Sequence, residues 1–531
     1  MISRRKVLNA SAMGVVLATL PFGRVRQAFG QSTSTFDYYI SPSGDDNNAG
    51  TLSSPWSITA LNSKMSTYAG KRVGIIGDQG VIQVGRVAGV ATSLYSIYQS
   101  QPGNDSGGVL LINGGPSGSQ PTYIGSSDSS GAYSARLAII DAADPTTGAQ
   151  PTVEAPFVAQ NQYQSTVQVP NYGNLTVDGI VIRNFTFAAL LFGGSAATPI
   201  DNVIIQNCEI YNQQNVKSNN NPGAVWMNFG NGALVTNCLI YNLSSSAAGT
   251  STNMQACGVI TFNSQGTNVT NCTFYNCCAI STKDGWQQMN VSYCYLGWGT
   301  FGSPYSGSSA TSNLGGTVQN YLTNTGLTNA FHHNILIGPI LSWGESSQAN
   351  NGTVAIHNNT FYKPSGIGGS NRGLAAFTNL QGFTSGGAGT WQFYNNLVYA
   401  EDGLYDGVSN SANPAAFTLM SAAVNSGNMT NMDYNAYGSA MTFGTGWTAG
   451  LFAWLFSAWR QRGFDAHSVL LTSSPFTGTP AEANPTSFAI SGPAATAGVG
   501  GAVCGANDDS GLVGCNFTGQ PVPNAPTLSI G

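Results

Sequence analysis

The feature that most constrains this chain is a phrase that returns along it. Asn202-Val-Ile-Ile-Gln-Asn-Cys208-Glu-Ile-Tyr-Asn212 reappears as Ala233-Leu-Val-Thr-Asn-Cys238-Leu-Ile-Tyr-Asn242, and again as Asn268-Val-Thr-Asn-Cys272-Thr-Phe-Tyr-Asn276. Looser copies are Val291-Ser-Tyr-Cys294-Tyr-Leu, Phe331-His-His-Asn334-Ile-Leu-Ile, Ile356-His-Asn-Asn359-Thr-Phe-Tyr and Phe393-Tyr-Asn-Asn396-Leu-Val-Tyr, and an earlier one is Asn174-Leu-Thr-Val-Asp-Gly-Ile180-Val-Ile-Arg-Asn184. Spacings run from 22 residues (272 to 294) to 40 (294 to 334). The short steps suit one coil of three strands and three bends, and the long steps add loops. Apolar residues alternate within each copy, as at Val203, Ile205 and Ile210, which is strand periodicity and not the three-and-four spacing of a helical repeat. The expected fold is therefore all-β, a single-stranded parallel β-helix with an N-terminal cap, loop insertions, and a short C-terminal helix and tail.

An Asn precedes many of the aligned positions (Asn207, Asn237, Asn271, Asn358, Asn395). Asn tolerates left-handed backbone at a bend. The aligned cysteines read as a small buried stack, because free Cys packs like a small apolar group and no CxxC metal spacing is present. The count of nine Cys is odd, so a complete disulfide framework is not expected. Cys504 and Cys515 are close enough in sequence to pair after export.

Two sequence phrases give the repeat a family likeness. Tyr39-Ile-Ser-Pro-Ser-Gly-Asp-Asp-Asn-Asn-Ala-Gly-Thr51 with Ser54-Pro55-Trp56 resembles the opening segment of secreted right-handed parallel β-helix proteins of the pectate-lyase-like superfamily, and Asn174 to Asn184 resembles a first-coil phrase. Trp459 and Gly463-Phe-Asp465-Ala-His467-Ser468 resemble the closing segment, so Asp465 and His467 read as structural. The resemblance spans roughly residues 36–515 and is specific for fold only. It implies extracellular polysaccharide as the partner, with lyases, hydrolases, epimerases and non-catalytic surface proteins all within reach.

The ends fit an exported protein. Ser3-Arg4-Arg5-Lys6-Val7-Leu8 ahead of an apolar stretch over residues 10–22 resembles a twin-arginine signal, with cleavage near Ala28-Phe29-Gly30. The apolar run is too short to span a membrane comfortably, and no later one is long enough. A periplasmic or extracellular location follows. The expected division is 1–30 signal peptide, 31–150 cap and first coils, 151–446 repeats, and 447–531 a C-terminal helix, last coil and tail. Within the last part, residues 447–462 carry the best helical pattern, and the tail from Pro475 should pack along the coils. Residues 297–328 and 371–390 are Gly/Ser/Asn-rich and read as loops.

Charge narrows the partners. Only 7% of residues are charged and the formal net charge is −5. Loss of Arg4, Arg5, Lys6, Arg24 and Arg26 with the signal would take it to about −10, which argues against nucleic acid. A monomer is expected.

The third strand of each coil can be aligned as well. Ala224-Val-Trp-Met-Asn228, Gly258-Val-Ile-Thr-Phe262 and Ala279-Ile-Ser-Thr-Lys283 match, and Pro339-Ile-Leu-Ser-Trp343 and Gly373-Leu-Ala-Ala-Phe377 match more loosely. Alternation puts Val225, Val259, Ile280, Ile340 and Leu374 inside, and Asn228, Phe262, Lys283, Trp343 and Phe377 outside, with Trp226 on the same outer face. Rings with one cation would make a sugar platform, and the alternative is that these rings only extend the core under loops. Lys283 is the candidate base for β-elimination beside a uronate carboxylate, with Asp284 to orient it or to share a calcium ion. A surface ion-pair dipeptide is the competing reading. Lys217, on a loop, could join as a second cation, and Glu345 and Arg372 flank the Trp343 and Phe377 strands as substrate contacts. Calcium is the one cofactor left open. His332-His333 reads as a bend pair and not as metal ligands, since no carboxylates accompany it at metal spacing. No clustered-Asp pattern, Ser-His-Asp elbow or phosphate loop is present. A polysaccharide lyase is the leading expectation, and a glycan-binding surface solenoid or a glycoside hydrolase of the same fold are the alternatives.

Overall fold

The computed structural model describes residues 35–84, 108–143, 155–160, 173–185, 188–213, 223–243, 257–275, 277–283, 288–297, 318–320, 327–337, 341–343, 352–363, 377–378, 390–401, 417–419, 429–438, 443–445, 452–454, 456–461, 463–480 and 488–490. They form a right-handed parallel β-helix. Three walls run its length. Wall 1 is a 12-stranded sheet from Tyr38–Ile40 to Met429–Asp433, wall 2 a 12-stranded sheet from Val81–Gln83 to Val469–Leu471, and wall 3 a 9-stranded sheet from Gly108–Leu111 to Phe377–Thr378. One coil is Val203–Gln206 on wall 1, Glu209–Gln213 on wall 2 and Gly223–Asn228 on wall 3. Every pairing within the walls is parallel, as in Ile205↔Val235 and Ile210↔Ile240.

Inward side chains fill the shaft in files. On wall 2, Ile210, Ile240, Phe274, Leu296, Leu336, Phe361, Val398 and Tyr437 follow one another in register. All of them belong to one buried cluster with Val235, Val269 and Phe331 of wall 1 and Val225, Val259 and Ile280 of wall 3. At the N-terminal end the helical turns Ala60–Ser63 and Met65–Tyr68 bury Ala60, Leu61, Met65 and Tyr68 against this cluster. They cover core that an open first coil would leave wet.

The bend from wall 1 to wall 2 sets the register of the coils. One left-handed residue precedes each inward position: Gly179, Asn207, Asn237, Asn271, Tyr293, His333, Asn358, Asn395 and Tyr434, with φ between 52° and 67°. Behind it stands a buried column of Cys208, Cys238, Cys272, Cys294, Asn334, Asn359, Asn396 and Asn435. Backbone bonds join the column coil to coil, with Leu239 N donating to Cys208 O at 2.9 Å and Val469 N to Asn435 O at 2.8 Å. The cysteine stack expected from the sequence is present, with Cys208, Cys238, Cys272 and Cys294 all reduced. Each thiol lies over a carbonyl of the preceding coil, from Cys238 Sγ on Ile205 O at 3.7 Å to Cys294 Sγ on Val269 O at 3.6 Å. Burial pushes the Cys208, Cys238 and Cys272 thiols well above the ordinary range, so they are unreactive packing groups.

Past Cys294 the column changes chemistry. Asn334 Nδ2 donates to Asn359 Oδ1 at 3.0 Å, Asn359 Nδ2 to Asn396 Oδ1 at 3.1 Å, Asn396 Nδ2 to Asn435 Oδ1 at 3.3 Å, and Asn435 Nδ2 to the buried Asp465 Oδ1 at 3.0 Å. All these amides point the same way and end on a carboxylate. In the N-terminal half a second file of amides occupies the outer bend position and points the other way: Asn237 Nδ2 donates to Asn207 Oδ1 at 2.5 Å, and Asn207 Nδ2 to the buried Asp178 Oδ1 at 2.8 Å. Asp178 also accepts from Tyr123 at 2.6 Å, Tyr133 at 2.7 Å and Gln206 at 2.7 Å, so its charge is fully compensated by donors.

Two expectations change near the far end. Residues 447–462 do not form one helix, because Phe452–Trp454 pairs antiparallel with Phe443–Thr445, and among the described residues of this range the helix is Phe456–Gln461. Backbone pairing at an open sheet edge overrides the local helical pattern there. The tail does pack along the coils: Phe476 and Phe488 are buried on the outer face of wall 2 against Tyr295, Ile335, Tyr362 and Leu397. Cys504 and Cys515 lie outside the described residues.

The ladder gives a graded prediction. Asn359→Ala removes the Oδ1 acceptor of Asn334 N and Nδ2 and the Nδ2 donor to Asn396 Oδ1 and the Phe331 carbonyl at once, while the Asn359 backbone N–H still reaches Asn396. It should cost about 3 kcal/mol, against about 1 kcal/mol for Cys272→Ala. Chemical denaturation of the two variants checks the order, and equal losses would deny the amide ladder its role.

Candidate functional site

The outer face of wall 3 is where the sequence placed its rings and its lysine. Backbone register puts Gly193, Asn228, Phe262 and Lys283 in one row. A second row, on the same face, holds Leu191, Trp226, Ile260 and Ser281. The Trp226 and Phe262 rings meet at 5.1 Å and 38° and pack on a small buried cluster of Cys257 and Ile260, and Trp226 packs on the shaft cluster as well. Trp226, Asn228 and Phe262 are partly exposed, while Leu191, Ile260 and Ser281 are buried. Much of this face is therefore covered, and the partly open strip is the one that ends at Lys283.

The corner beyond the strip is held by a second asparagine. Asn263 takes the left-handed conformation at φ 47°, and its Nδ2 lies 3.4 Å from Asn228 Oδ1. Phe262 O accepts from Phe229 N at 2.9 Å and from Ser264 Oγ at 2.9 Å, which fixes the end of the strand. Sequence reasoning did not single out Asn263, although its place after Phe262 matches that of Asp284 after Lys283.

The loose end of the alignment is corrected by the pairing. The Cys278–Lys283 strand pairs with Val318–Asn320, inside a stretch read as loop, and that strand pairs with Leu341–Trp343. Trp343 falls opposite Asn320, one position after the row of Ser281, Gln319 and Ser342, and so does not continue the Asn228–Phe262–Lys283 row by simple alignment. Phe377 falls opposite Leu341, which continues the inward file of Val225, Val259 and Ile280. Strands of two and three residues carry too little alternation to fix a register, and a slip moves each residue off its face. Lys283 ends a described strand, whereas Asp284, Lys217, Glu345, Arg372, Ile340 and Leu374 lie outside the described residues.

The histidines form a structural ridge and not a chelate. His332, His357 and Tyr394 follow one another in register on wall 1, with rings stacked at 5.0 Å and 4.9 Å. His332 Nδ1 and His333 Nδ1 share a hydrogen bond at 2.8 Å, and His357 Nδ1 bonds Asn358 Oδ1 at 2.8 Å. Among the described residues no group of three or more His, Cys, Asp or Glu could hold a metal ion. Burial, with His357 beside it, pushes His332 down to about 3, and burial also lowers His357.

No family model matches the chain, and no curated protein matches it. Solved structures show a distant likeness. A pectate lyase, Pel9A, is 17% identical, with 72% of this chain and 79% of that chain covered and a TM-score of 0.44. A rhamnogalacturonan lyase is 14% identical, with 61% and 73% covered and a TM-score of 0.37. A GH136 lacto-N-biosidase from Eubacterium ramulus is 12% identical, with 68% of each chain covered and a TM-score of 0.34. At such values the fold rests on the strand pairing itself, and the chemistry on the site alone. Among the described residues no helix is long and apolar enough to cross a membrane.

The ridge predicts an acid limb. His332 and His357 have folded values below their ordinary ones, so between pH 6.5 and about 3 the unfolded chain binds more protons at His332 than the folded one. Stability should fall as pH drops through that window, by up to about 1.4 kcal/mol per pH unit for each such group. His332→Gln should flatten the fall in thermal stability with acid. An unchanged slope would remove His332 from the account.

Proposed function

We propose that this is an exported β-helix protein that binds an extracellular, uronate-containing polysaccharide along the outer face of wall 3 and cleaves it by β-elimination. The observation that carries the reading is the single register row of Asn228, Phe262 and Lys283 beside the Trp226–Phe262 pair. Rings and a neutral amide suit the hydroxylated faces of a sugar chain, and a lysine at the end of the row suits its carboxylate. In the proposed step, Lys283 in its amine form takes the proton on the carbon beside the uronate carboxylate. The freed electron pair is held as an enolate, which the Lys217 ammonium would stabilise; a calcium ion, if one binds, would be held through Asp284 and would supply the same positive charge. Collapse of the enolate expels the glycosidic oxygen, which takes up a proton, and leaves a carbon–carbon double bond in the uronate ring. Export by the Arg4-Arg5 signal would bring the protein to such a polymer. Glu345 and Arg372 remain proposed contacts of the same polymer, while the register found for Trp343 and Phe377 takes both off this row.

A second reading has its own support. The partly exposed Trp226, Asn228 and Phe262 suit a glycan-binding solenoid that does not cut equally well, since rings and an amide hold a sugar chain without any base. The two readings part on product. Wild type should release material absorbing as an unsaturated uronate from one of a panel of pectic and alginate polymers, and Lys283→Ala should lower that rate at least about a hundredfold. Product formed at the wild-type rate by Lys283→Ala would remove Lys283 as base. Binding with no product from any polymer would leave the non-cutting reading in place.

A further inference from the structure

We infer that the outer face of wall 2, over the coils that carry Arg183, Glu209, Tyr211 and Tyr241, is a second carbohydrate-binding site, for a neutral sugar unit of a glycan chain. It is a different wall from the proposed groove, and it stands or falls without the lyase reading. Alternation on wall 2 sends Ile182, Ile210 and Ile240 inward and therefore sends Arg183, Glu209, Tyr211 and Tyr241 outward, where all four are partly exposed. Arg183, Tyr211 and Tyr241 share one register row, and Glu209 lies two residues before Tyr211 on the same face.

The site is rigid and only partly spent. The Tyr211 and Tyr241 rings stack at 4.9 Å and 8°, so each fixes the other's hydroxyl. Asp141 holds Arg183 through Nε at 2.8 Å and is itself saturated by Asn184 Nδ2 at 2.8 Å and Ala143 N at 2.9 Å. Arg183 Nη1 reaches Tyr211 Oη at 3.4 Å, and the Tyr241 hydroxyl donates to Glu209 Oε1 at 2.8 Å. That leaves three directed groups with no protein partner among the described residues: the Arg183 Nη2 donors, the Tyr211 hydroxyl proton, and the Glu209 Oε2 acceptor. Donors and an acceptor set side by side on fixed side chains match sugar hydroxyls, each of which both gives and accepts a hydrogen bond.

Charge selects a neutral sugar over an acidic one. Arg183 is already matched by Asp141, and Arg136, held on the Asn207 and Asn237 carbonyls at 3.0 Å and 3.1 Å, keeps a positive charge that acts on Tyr241 and offsets Glu209, so the patch is neutral as a whole. The free side of Glu209 is left to meet the ligand, and it would repel a carboxylate. Among the described residues the face is partly exposed at this level. The tail covers wall 2 further on, where Phe488 packs on Tyr295 and Tyr362, and no described part of it reaches Tyr241.

The test is affinity electrophoresis of the full chain in gels cast with neutral polysaccharides: xylan, galactomannan or mixed-linkage β-glucan. Wild type should be retarded in at least one of them. Tyr211→Phe removes one hydroxyl and keeps the ring stack, and Glu209→Gln removes the charge and keeps an acceptor. Each should weaken retardation about tenfold with thermal stability unchanged. If Glu209→Gln melts early through loss of its Tyr241 bond, Tyr211→Phe alone decides. No retardation in any gel, or retardation of Tyr211→Phe equal to wild type, would each overturn the proposal. Failure of the uronate assay leaves this result untouched.

Discussion

Each coil turns from wall 1 to wall 2 through one left-handed residue, and the side chain after that residue has to be satisfied inside the shaft. A polar group there is costly unless it is bonded, and its partners are carbonyls of its own bend and groups of the neighbouring coils. The protein meets this constraint in two ways. In the N-terminal half the inner position is a thiol, which is small and asks little, and the amides sit one residue earlier, on the outside. In the C-terminal half the inner position is itself an amide. The two files point in opposite directions along the axis and each ends on a buried carboxylate, Asp178 or Asp465. Aligned amide dipoles with their donors toward an anion polarise one another, so a file anchored in this way favours one register over a slipped one. Everything on the outside of the walls inherits its position from these bends.

That dependence explains what could be read from the sequence. The bend phrase is long, alternates cleanly and carries Asn-Cys or Asn-Asn at a fixed place, so the solenoid and the cysteine stack follow from it, while the structural reading of Asp465 comes from the closing segment. The row of Asn228, Phe262 and Lys283 was legible for the same reason, since its strands have six residues each. Trp343 and Phe377 sit on strands of three and two residues, where pairing through Val318–Asn320 decides the register and no local pattern announces it. The expected helix over 447–462 failed because periodicity describes one segment alone, while a free sheet edge beside it offers backbone bonds. The wall 2 patch was hidden in plain view. Glu209-Ile-Tyr211 and Leu239-Ile-Tyr241 were read as parts of the repeat, and the outward half of their alternation was not followed across to Arg183.

The molecule holds few charges, and their placement divides the surface. Wall 3 offers rings, amides and one lysine, a face suited to lying along a polymer that brings its own charge. Wall 2 offers a compensated arginine, a half-free glutamate and stacked phenols at one end, and at the other an apolar strip sealed by Phe476 and Phe488. The same architecture thus presents chemically distinct faces, because each outward row is free to vary while the inward rows are held by packing.

The inward column is tested most directly by thiol labelling read out by mass spectrometry. Under native conditions iodoacetamide should leave Cys208, Cys238, Cys272 and Cys294 unmodified, and all four should become labelled together as denaturant unfolds the solenoid. Alkylation of any one of them while the protein stays folded would place that thiol on the outside. A one-residue shift at that bend would then move every outward row described above to the other face, and the account would fail with it.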